Sequence, residues 1–292
     1  MWLLPPLNVS TVRPWPVVLL LALMLPLALP AATPPDSANT PTGYYPEKTN
    51  FLRFGTGLAF PVVQDDKLSS LRYRGIGGYG DMGYDTYAPR FQNRFNLAFV
   101  AGLLNRKQDL NNAVGISSQL FQVHIWDDYL RQVARLQVFK QPLWVHAGAR
   151  LGLWASLRIA SGLRNSSATF DGIGNFGPVA NARWRFPFKR DLFLEYRASL
   201  PVLAYVLRPR YNNYLPFLDP DMEPIEEFAG ESRFAGWGSF FRFSQRVALV
   251  YPLRNANEFS ISYGWNYYSF QGEHHLVQAA NHSLRLSVLF QL

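Results

Sequence analysis

Five histidines are the side chains of this sequence best suited to chemistry: His124, His146, His274, His275 and His282. His282 precedes Ser283, and a hydrolase of the His–Ser type needs its nucleophile and base within hydrogen-bond reach. Neighbouring residues of a β-strand point to opposite faces, so this pair cannot meet if the segment is a strand. His274 and His275 follow Glu273, which is a weak pattern for a metal site. We therefore predict no catalytic, metal-binding or cofactor-binding residues and no enzymatic activity.

The composition narrows the class of protein further. The chain has 292 residues and no cysteine, which excludes a disulfide scaffold, a thiol nucleophile and a cysteine zinc site. Charged residues make up only 16% of the sequence, against about a quarter in soluble domains. The formal net charge is +8, but Lys and Arg are spread singly along the chain, whereas a nucleic-acid-binding protein clusters them. We expect no nucleic-acid partner.

The N-terminal residues have the pattern of a secretory signal. Arg13 precedes an apolar run from Val17 to Leu29, and the small residues Ala31 and Ala32 follow. A basic start, an apolar core of this length and small residues at its end are typical of a signal peptide. We expect residues 1–32 to be removed on export and the Pro/Thr-rich residues 33–50 to form a flexible lead-in. The remaining domain would then span residues 51–292.

Beyond residue 70 the sequence alternates between apolar and other residues. In the segments Leu143–Arg158, Phe259–Tyr267 and Asn281–Leu292, every second residue is apolar with few exceptions, which is the pattern of β-strands. Several such segments exceed ten residues, whereas strands of soluble proteins commonly have about five or six. Strands that cross a bilayer need about 9–11 residues, and they must close into a barrel because lipid leaves no partner for an open edge. We predict an all-β, closed, antiparallel, up-and-down transmembrane β-barrel.

The links between segments predict about ten strands, an even number as in bacterial barrels. Their approximate ranges are 70–82, 91–104, 112–125, 131–140, 143–160, 177–188, 191–206, 234–251, 258–270 and 278–292. The segment Phe51–Val63 is left over. It is either an extra strand with a missed partner, giving twelve strands, or a segment lying against the periplasmic mouth.

Several stretches resemble known outer-membrane proteins. "SLRLSVLFQL" at the C-terminus resembles the targeting strand of bacterial outer-membrane proteins, although Leu292 stands where Phe is usual. "LSSLRYRGIGGYGDMGY", "ASLPVLAYVLRPRYN" and "NFGPVANARWRFPF" are similar to uncharacterised outer-membrane β-barrels of the Bacteroidota. The resemblance implies an outer-membrane location, contact with lipid and lipopolysaccharide, and recognition of the C-terminal strand by the assembly machinery. It implies no activity.

The same alternation predicts which charged residues face the barrel interior. An arginine on the lipid face costs about 2–4 kcal/mol near the midplane, so strand arginines should point inward. Arg94 and Arg135 are further candidates, and Glu195 is the one inward carboxylate that the alternation identifies. The predicted lumen-lining residues are Arg150, Arg158, Arg183, Arg185, Glu195, Arg197, Arg242, Arg246 and Arg285.

Three roles stay open at this point. The first is a structural or envelope-interaction barrel with a narrow lumen. Side chains fill the interior of an eight-stranded barrel, and ten strands enclose only a little more space. The second is a narrow channel for small anionic solutes, because arginine rings favour anions. The third is a lipid-modifying enzyme. Loop residues 208–232 are candidates for recognition through the carboxylates Asp219, Asp221, Glu223, Glu226 and Glu227.

Overall fold

A computed structural model describes residues 47–66, 69–105, 117–161, 168–186, 192–208, 232–272 and 276–292. All of them lie in one compact unit, Pro41–Leu292. The predicted signal peptide, most of the predicted lead-in and the five carboxylates of residues 208–232 lie outside the described residues. No helix in the described part of the chain is long and apolar enough to cross a membrane.

The described residues form twelve β-strands. Their bounds are β1 Thr49–Asp65, β2 Ser69–Tyr87, β3 Phe91–Asn105, β4 Ser117–Val138, β5 Gln141–Ser161, β6 Ala168–Arg185, β7 Phe193–Ser199, β8 Leu203–Leu207, β9 Arg233–Ala235, β10 Phe240–Pro252, β11 Glu258–Gln271 and β12 Leu276–Gln291.

These strands close into an antiparallel barrel with ten strands in its wall. Each neighbour in the sheet is antiparallel, β5 pairs with β6, and β12 pairs with β1. β7 and β8 pair with different parts of β6, so together they form one wall strand. β9 and β10 form another, because they pair with β8 and β7 respectively. The predicted fold class, a closed antiparallel barrel of about ten strands, is confirmed.

The number of strands along the chain differs from the prediction at two places, and β6 begins at Ala168, well before the predicted start at residue 177. The left-over segment Phe51–Val63 belongs to β1, which pairs with both β2 and β12 and closes the barrel. The two predicted strands at 112–125 and 131–140 are instead one strand, β4. The charged residues at its centre look like a turn, but Asp128 is buried and paired inside the barrel. The twelve-strand alternative is therefore wrong.

The strands are strongly tilted, as the pairing register shows. Partners followed once around the wall from Thr49 lead back to β1 at Pro61, a stagger of 12 residues. Barrels with such a stagger have strands tilted by about 35–45° to the axis. The path runs through Thr49, Tyr87, Gln92, Leu130, Gly148, Val179, Ser199, Ser244, Asn266, Asn281 and Pro61.

One seam of the wall is irregular. Val179 pairs with Ser199 and Phe176 with Leu203, so three steps along β6 face four steps along the opposite strand. This extra residue is a β-bulge, which bends a strand locally. On the other side, the turn at residues 236–239 separates β9 from β10, and the ladder is interrupted between the β7–β10 and β8–β9 pairings. We call this interruption the seam gap.

The two faces of the wall have opposite chemistry. Outward-facing side chains include the exposed apolar residues Leu58, Phe95, Phe99, Leu151, Leu153, Ile261, Leu284 and Leu286. Inward-facing side chains are mostly polar, charged or aromatic, and many are fully buried. The start of β1 and the end of β12 lie at the same end of the barrel, which we call the turn end. The opposite end, where β8 ends and β9 begins, is the loop end.

Candidate functional site

The strands place most of the predicted lumen-lining residues inside the barrel. Glu195 and the further candidate Arg94 both face the interior. The predicted arginines that lie inside, buried or half-buried, are Arg150, Arg158, Arg183, Arg197, Arg242, Arg246 and Arg285. Arg185 is instead exposed, because it is the last residue of β6 and extends beyond the rim. Arg135 lies near the end of β4 and is also exposed. A side chain at the rim is exposed whichever face of the strand it is on, so alternation does not predict its burial.

Six inward carboxylates escaped the sequence reasoning, which identified only Glu195. They are Asp65, Asp81, Asp85, Asp128, Asp171 and Glu258. Each lies in a segment that was assigned to a link or to a strand end. Asp81 and Asp85 would have been found by extending the alternation of β2 through "DMGYDTY", where they are four residues apart and share one face.

A neutral cluster of ion pairs closes the loop end, which we call the loop-end layer. Arg158 lies 2.5 Å from Asp65 and 3.0 Å from Asp171, and Arg208 lies 2.6 Å from Asp65 and 3.3 Å from Asp171. Two arginines therefore meet two carboxylates, one from β1 and one from β6. Beneath them, Trp154 packs on Tyr268 within a buried apolar cluster.

The turn end is closed in a similar way. Arg183 Nη2 lies 2.7 Å from Glu258 Oε1, and the Arg183 guanidinium also stacks 4.8 Å from the ring centroid of Phe193. Buried aromatic rings surround this pair, with Phe51 edge-on to Tyr87 at 5.7 Å. Among the described residues, this turn-end layer is also neutral, because one arginine meets one carboxylate.

Three carboxylates of the layer between the two ends are each shared by two arginines, and the fourth, Asp81, lies 3.3 Å from Arg53. Asp85 accepts from Arg53 at 2.8 Å and from Arg94 at 3.1 Å. Glu195 accepts from Arg94 at 2.8 Å and from Arg246 at 2.7 Å.

Asp128 repeats this arrangement on the opposite side of the middle layer. It accepts from Arg150 at 2.5 Å and from Arg197 at 2.8 Å. These pairs join β4, β5 and β7, so ion pairs tie together strands that are far apart in sequence.

A cavity of about 70 Å³ lies in this middle layer. One water needs about 10–15 Å³ by this kind of measure, so the space suits a few waters or one small ion. It is far smaller than the 300–1,000 Å³ of typical ligand pockets. Two smaller cavities, of about 10 and 20 Å³, lie nearer the loop end. The arginines that line the middle cavity are Arg53, Arg150, Arg197, Arg242, Arg246 and Arg285.

The described histidines do not form a hydrolytic centre. His282 faces outward, with the Tyr263 hydroxyl 2.6 Å from its Nδ1, whereas Ser283 is buried on the inner face. His124 accepts from the Trp154 indole at 2.9 Å, and His146 lies beside Gln92. His274 and His275 lie outside the described residues. Among the residues that are described, no group of three or more His, Cys, Asp or Glu could hold a metal ion.

The geometry defines a closed ten-stranded barrel with an apolar outer face and an ion-paired interior. No family model matches the sequence, and no curated protein sequence matches it either. Solved structures similar to it include the outer-membrane protease OmpT from Escherichia coli, at 10% identity and a TM-score of 0.42. That match covers 84% of this chain and 96% of OmpT.

Two further structures are less similar. The transport unit of the autotransporter AIDA-I from Escherichia coli is 8% identical with a TM-score of 0.36, covering 92% of this chain and 96% of that one. OpdL from Pseudomonas aeruginosa is 8% identical with a TM-score of 0.18, covering 85% and 99%. These similarities are too low to assign an activity, and a barrel fold alone does not decide whether the chain is an enzyme.

Proposed function

We propose that this chain is an integral β-barrel of the bacterial outer membrane with a structural or envelope-interaction role and no enzymatic activity. The observation that carries the proposal is the inversion of the usual soluble pattern. Apolar side chains such as Leu151, with 62% of its surface exposed, cover the outside, while ion pairs fill the inside. Soluble monomers seldom expose a continuous apolar surface of more than a few hundred Å².

The filled interior favours a structural role over transport. Neutral ion-pair layers and buried aromatic rings occupy both ends, and the cavity between them is small. Barrels that conduct freely have about sixteen or more strands and an aqueous lumen. A narrow channel for small anionic solutes is the second candidate, because six arginines line the middle cavity.

The partners of the proposed barrel follow from its surfaces. The apolar outer face suits lipid acyl chains, with lipopolysaccharide in the outer leaflet. β12 would be the segment that the assembly machinery recognises, because its outer face is apolar up to Phe290. The five carboxylates between residues 208 and 232 remain candidates for recognition outside the membrane.

Stability in a bilayer tests the membrane location. Leu284 lies at the centre of β12 and points outward between Leu58 and Tyr263, so Leu284→Arg should lower the free energy of unfolding from phosphatidylcholine vesicles by about 2–4 kcal/mol. Gln119→Arg is the matched control, since Gln119 is exposed near the loop end, where the cost is about 0–1 kcal/mol. Urea unfolding measures both variants. Equal stabilities, or a chain that does not float with the vesicles, would contradict the proposal.

A further inference from the structure

The middle layer of the interior carries more positive than negative charge. Asp81, Asp85, Asp128 and Glu195 are its four carboxylates. Its seven arginines are Arg53, Arg94, Arg150, Arg197, Arg242, Arg246 and Arg285. Seven less four leaves a formal excess of three positive charges within the described residues, while the layers at both ends are neutral. Buried charge is costly unless it is paired, so this excess calls for a compensating anion.

The cavity in this layer presents donors that have no acceptor. Among the described residues, Arg197 Nε and Nη2, Arg246 Nε and Asn175 Nδ2 are buried without a hydrogen-bond partner. Arg197 and Asn175 are both more than nine-tenths buried, and all three side chains line the cavity. Buried donors are nearly always paired in folded proteins, which makes such a group of exceptions informative. None of the described lining residues is acidic.

Arg242 and His124 add two more donors on the loop-end side of the cavity. The Trp154 indole can only donate, so His124 Nε2 accepts its hydrogen bond and the ring proton of a neutral His124 lies on Nδ1. Arg242 Nη2 lies 3.4 Å from that Nδ1, which places donor against donor. Arg285 stacks its guanidinium 4.1 Å from the Tyr79 ring centroid. In the described part of the chain, neither Arg242 nor Arg285 has a carboxylate partner.

We propose that this cavity binds one phosphate-type oxyanion, held by Arg242, Arg285 and the unpartnered donors of Arg197. Guanidinium forks match the oxygens of phosphate, and each charge-assisted bond is stronger than a neutral one. The anion is either free phosphate or the phosphate of a lipid headgroup. Both reach the cavity through the seam gap, because Ser199, Pro201, Ser244 and Gln245 line the cavity where the ladder of the wall is interrupted.

Calorimetric titration with inorganic phosphate tests the site. The full chain, purified in a non-ionic detergent with chloride as the only other anion, should bind one phosphate. Arg242→Gln and Arg285→Gln should each weaken binding at least tenfold, and neither change leaves a carboxylate without its arginine. Arg254→Gln is the matched control: it removes the same charge from the exposed turn between β10 and β11 and should bind as the unchanged chain does. If one cavity variant does not fold, the other provides the comparison.

Phosphorus analysis of the same purified protein distinguishes the two sources. After extraction with chloroform and methanol, phosphorus in the organic phase identifies a lipid headgroup, and phosphorus in the aqueous phase identifies free phosphate. A site already filled by lipid gives no heat on titration but about one organic phosphorus per chain, reduced in the two cavity variants. The proposal is overturned if the unchanged chain neither binds phosphate nor carries phosphorus, or if the cavity variants match Arg254→Gln. Such a failure would leave insertion into vesicles unaffected and so would not touch the proposed membrane role.

Discussion

At the scale of single residues, the interior is held together by ion pairs in which most carboxylates accept from two arginines. Glu195 is 2% exposed and accepts from Arg94 on β3, across the barrel, and from Arg246 on the neighbouring strand β10. A buried ion pair adds little net stability when it forms, because desolvation offsets the attraction. Removal of one partner costs much more, since the other charge then stays buried and uncompensated. Glu195 therefore neutralises charge that the fold cannot expose.

Glu195→Gln keeps the shape of the side chain and removes its charge. We expect it to lower the free energy of unfolding by about 3–5 kcal/mol, because two buried arginines lose their shared counter-charge. Asp66→Asn is the control: Asp66 is an exposed carboxylate in the turn after β1, outside the wall, so its loss should cost less than about 1 kcal/mol. Urea unfolding in the same detergent compares them. A Glu195→Gln variant as stable as Asp66→Asn would refute this account of the interior.

The sequence predicts residues of the interior only where the strand boundaries are right. Alternation identified Glu195 and most of the inward arginines, because a charge within a long apolar-polar repeat can face only one way. It missed Asp128, because adjacent charges in "WDDYL" look like a turn. The partners of Asp128 are Arg150 and Arg197, on two other strands. Such a non-local ion pair leaves no signal in the local sequence.

At the scale of strands, the seam between β7–β8 and β9–β10 is the feature that distinguishes this barrel from a regular one. The β-bulge at residues 200–202 brings Pro201 over β6, and the Trp237 indole donates to the Pro201 carbonyl at 3.1 Å. Proline has no N–H to give to a ladder, so it suits a place where the ladder stops. Gly177 lies directly beneath this bulge.

Gly177→Ala should disturb the seam. A Cβ at this position would lie 2.5 Å from Pro201 Cα and 2.6 Å from the Leu200 carbonyl oxygen, both of them backbone atoms that cannot rotate away. We expect a loss of about 1–3 kcal/mol in the free energy of unfolding, as in other overpacked sites. Gly174→Ala on the same strand is the control, because its nearest neighbour would be Leu153 Cδ2 at 3.6 Å, an ordinary contact. Two equally stable variants would show that the strands are not packed closely at the bulge.

The strands themselves were largely predictable, since long alternating segments have few other interpretations. Predicted and observed bounds agree to within a few residues for β3, β5, β11 and β12. The seam could not be predicted: "AGWGSFF" gives a turn signal at Gly236, but the wall strand resumes after it, because β10 pairs again with β7. Pairing across the sheet decides this, and alternation along one strand does not.

At the scale of the whole molecule, ten strands enclose an interior with three layers of ion pairs. The layers at the loop end and the turn end are neutral and carry buried aromatic rings, and the middle layer has the excess of arginine around the small cavity. The count of ten follows from the sequence only because two errors cancel. The N-terminal segment that appears to be left over is β1, and two predicted strands are the single strand β4. Closure by β1 and β12 joins the two ends of the domain, and no local pattern reports such a pairing.

The measurement that tests this account most directly is the single-channel current of the full chain in a planar bilayer across a salt gradient. An interior closed by ion-pair layers at both ends predicts an inserted, heat-modifiable protein with no steady conductance above the leak of the bare bilayer. Steady anion-selective openings would contradict a closed interior, and the arginines of the middle layer would then line a pathway for anions.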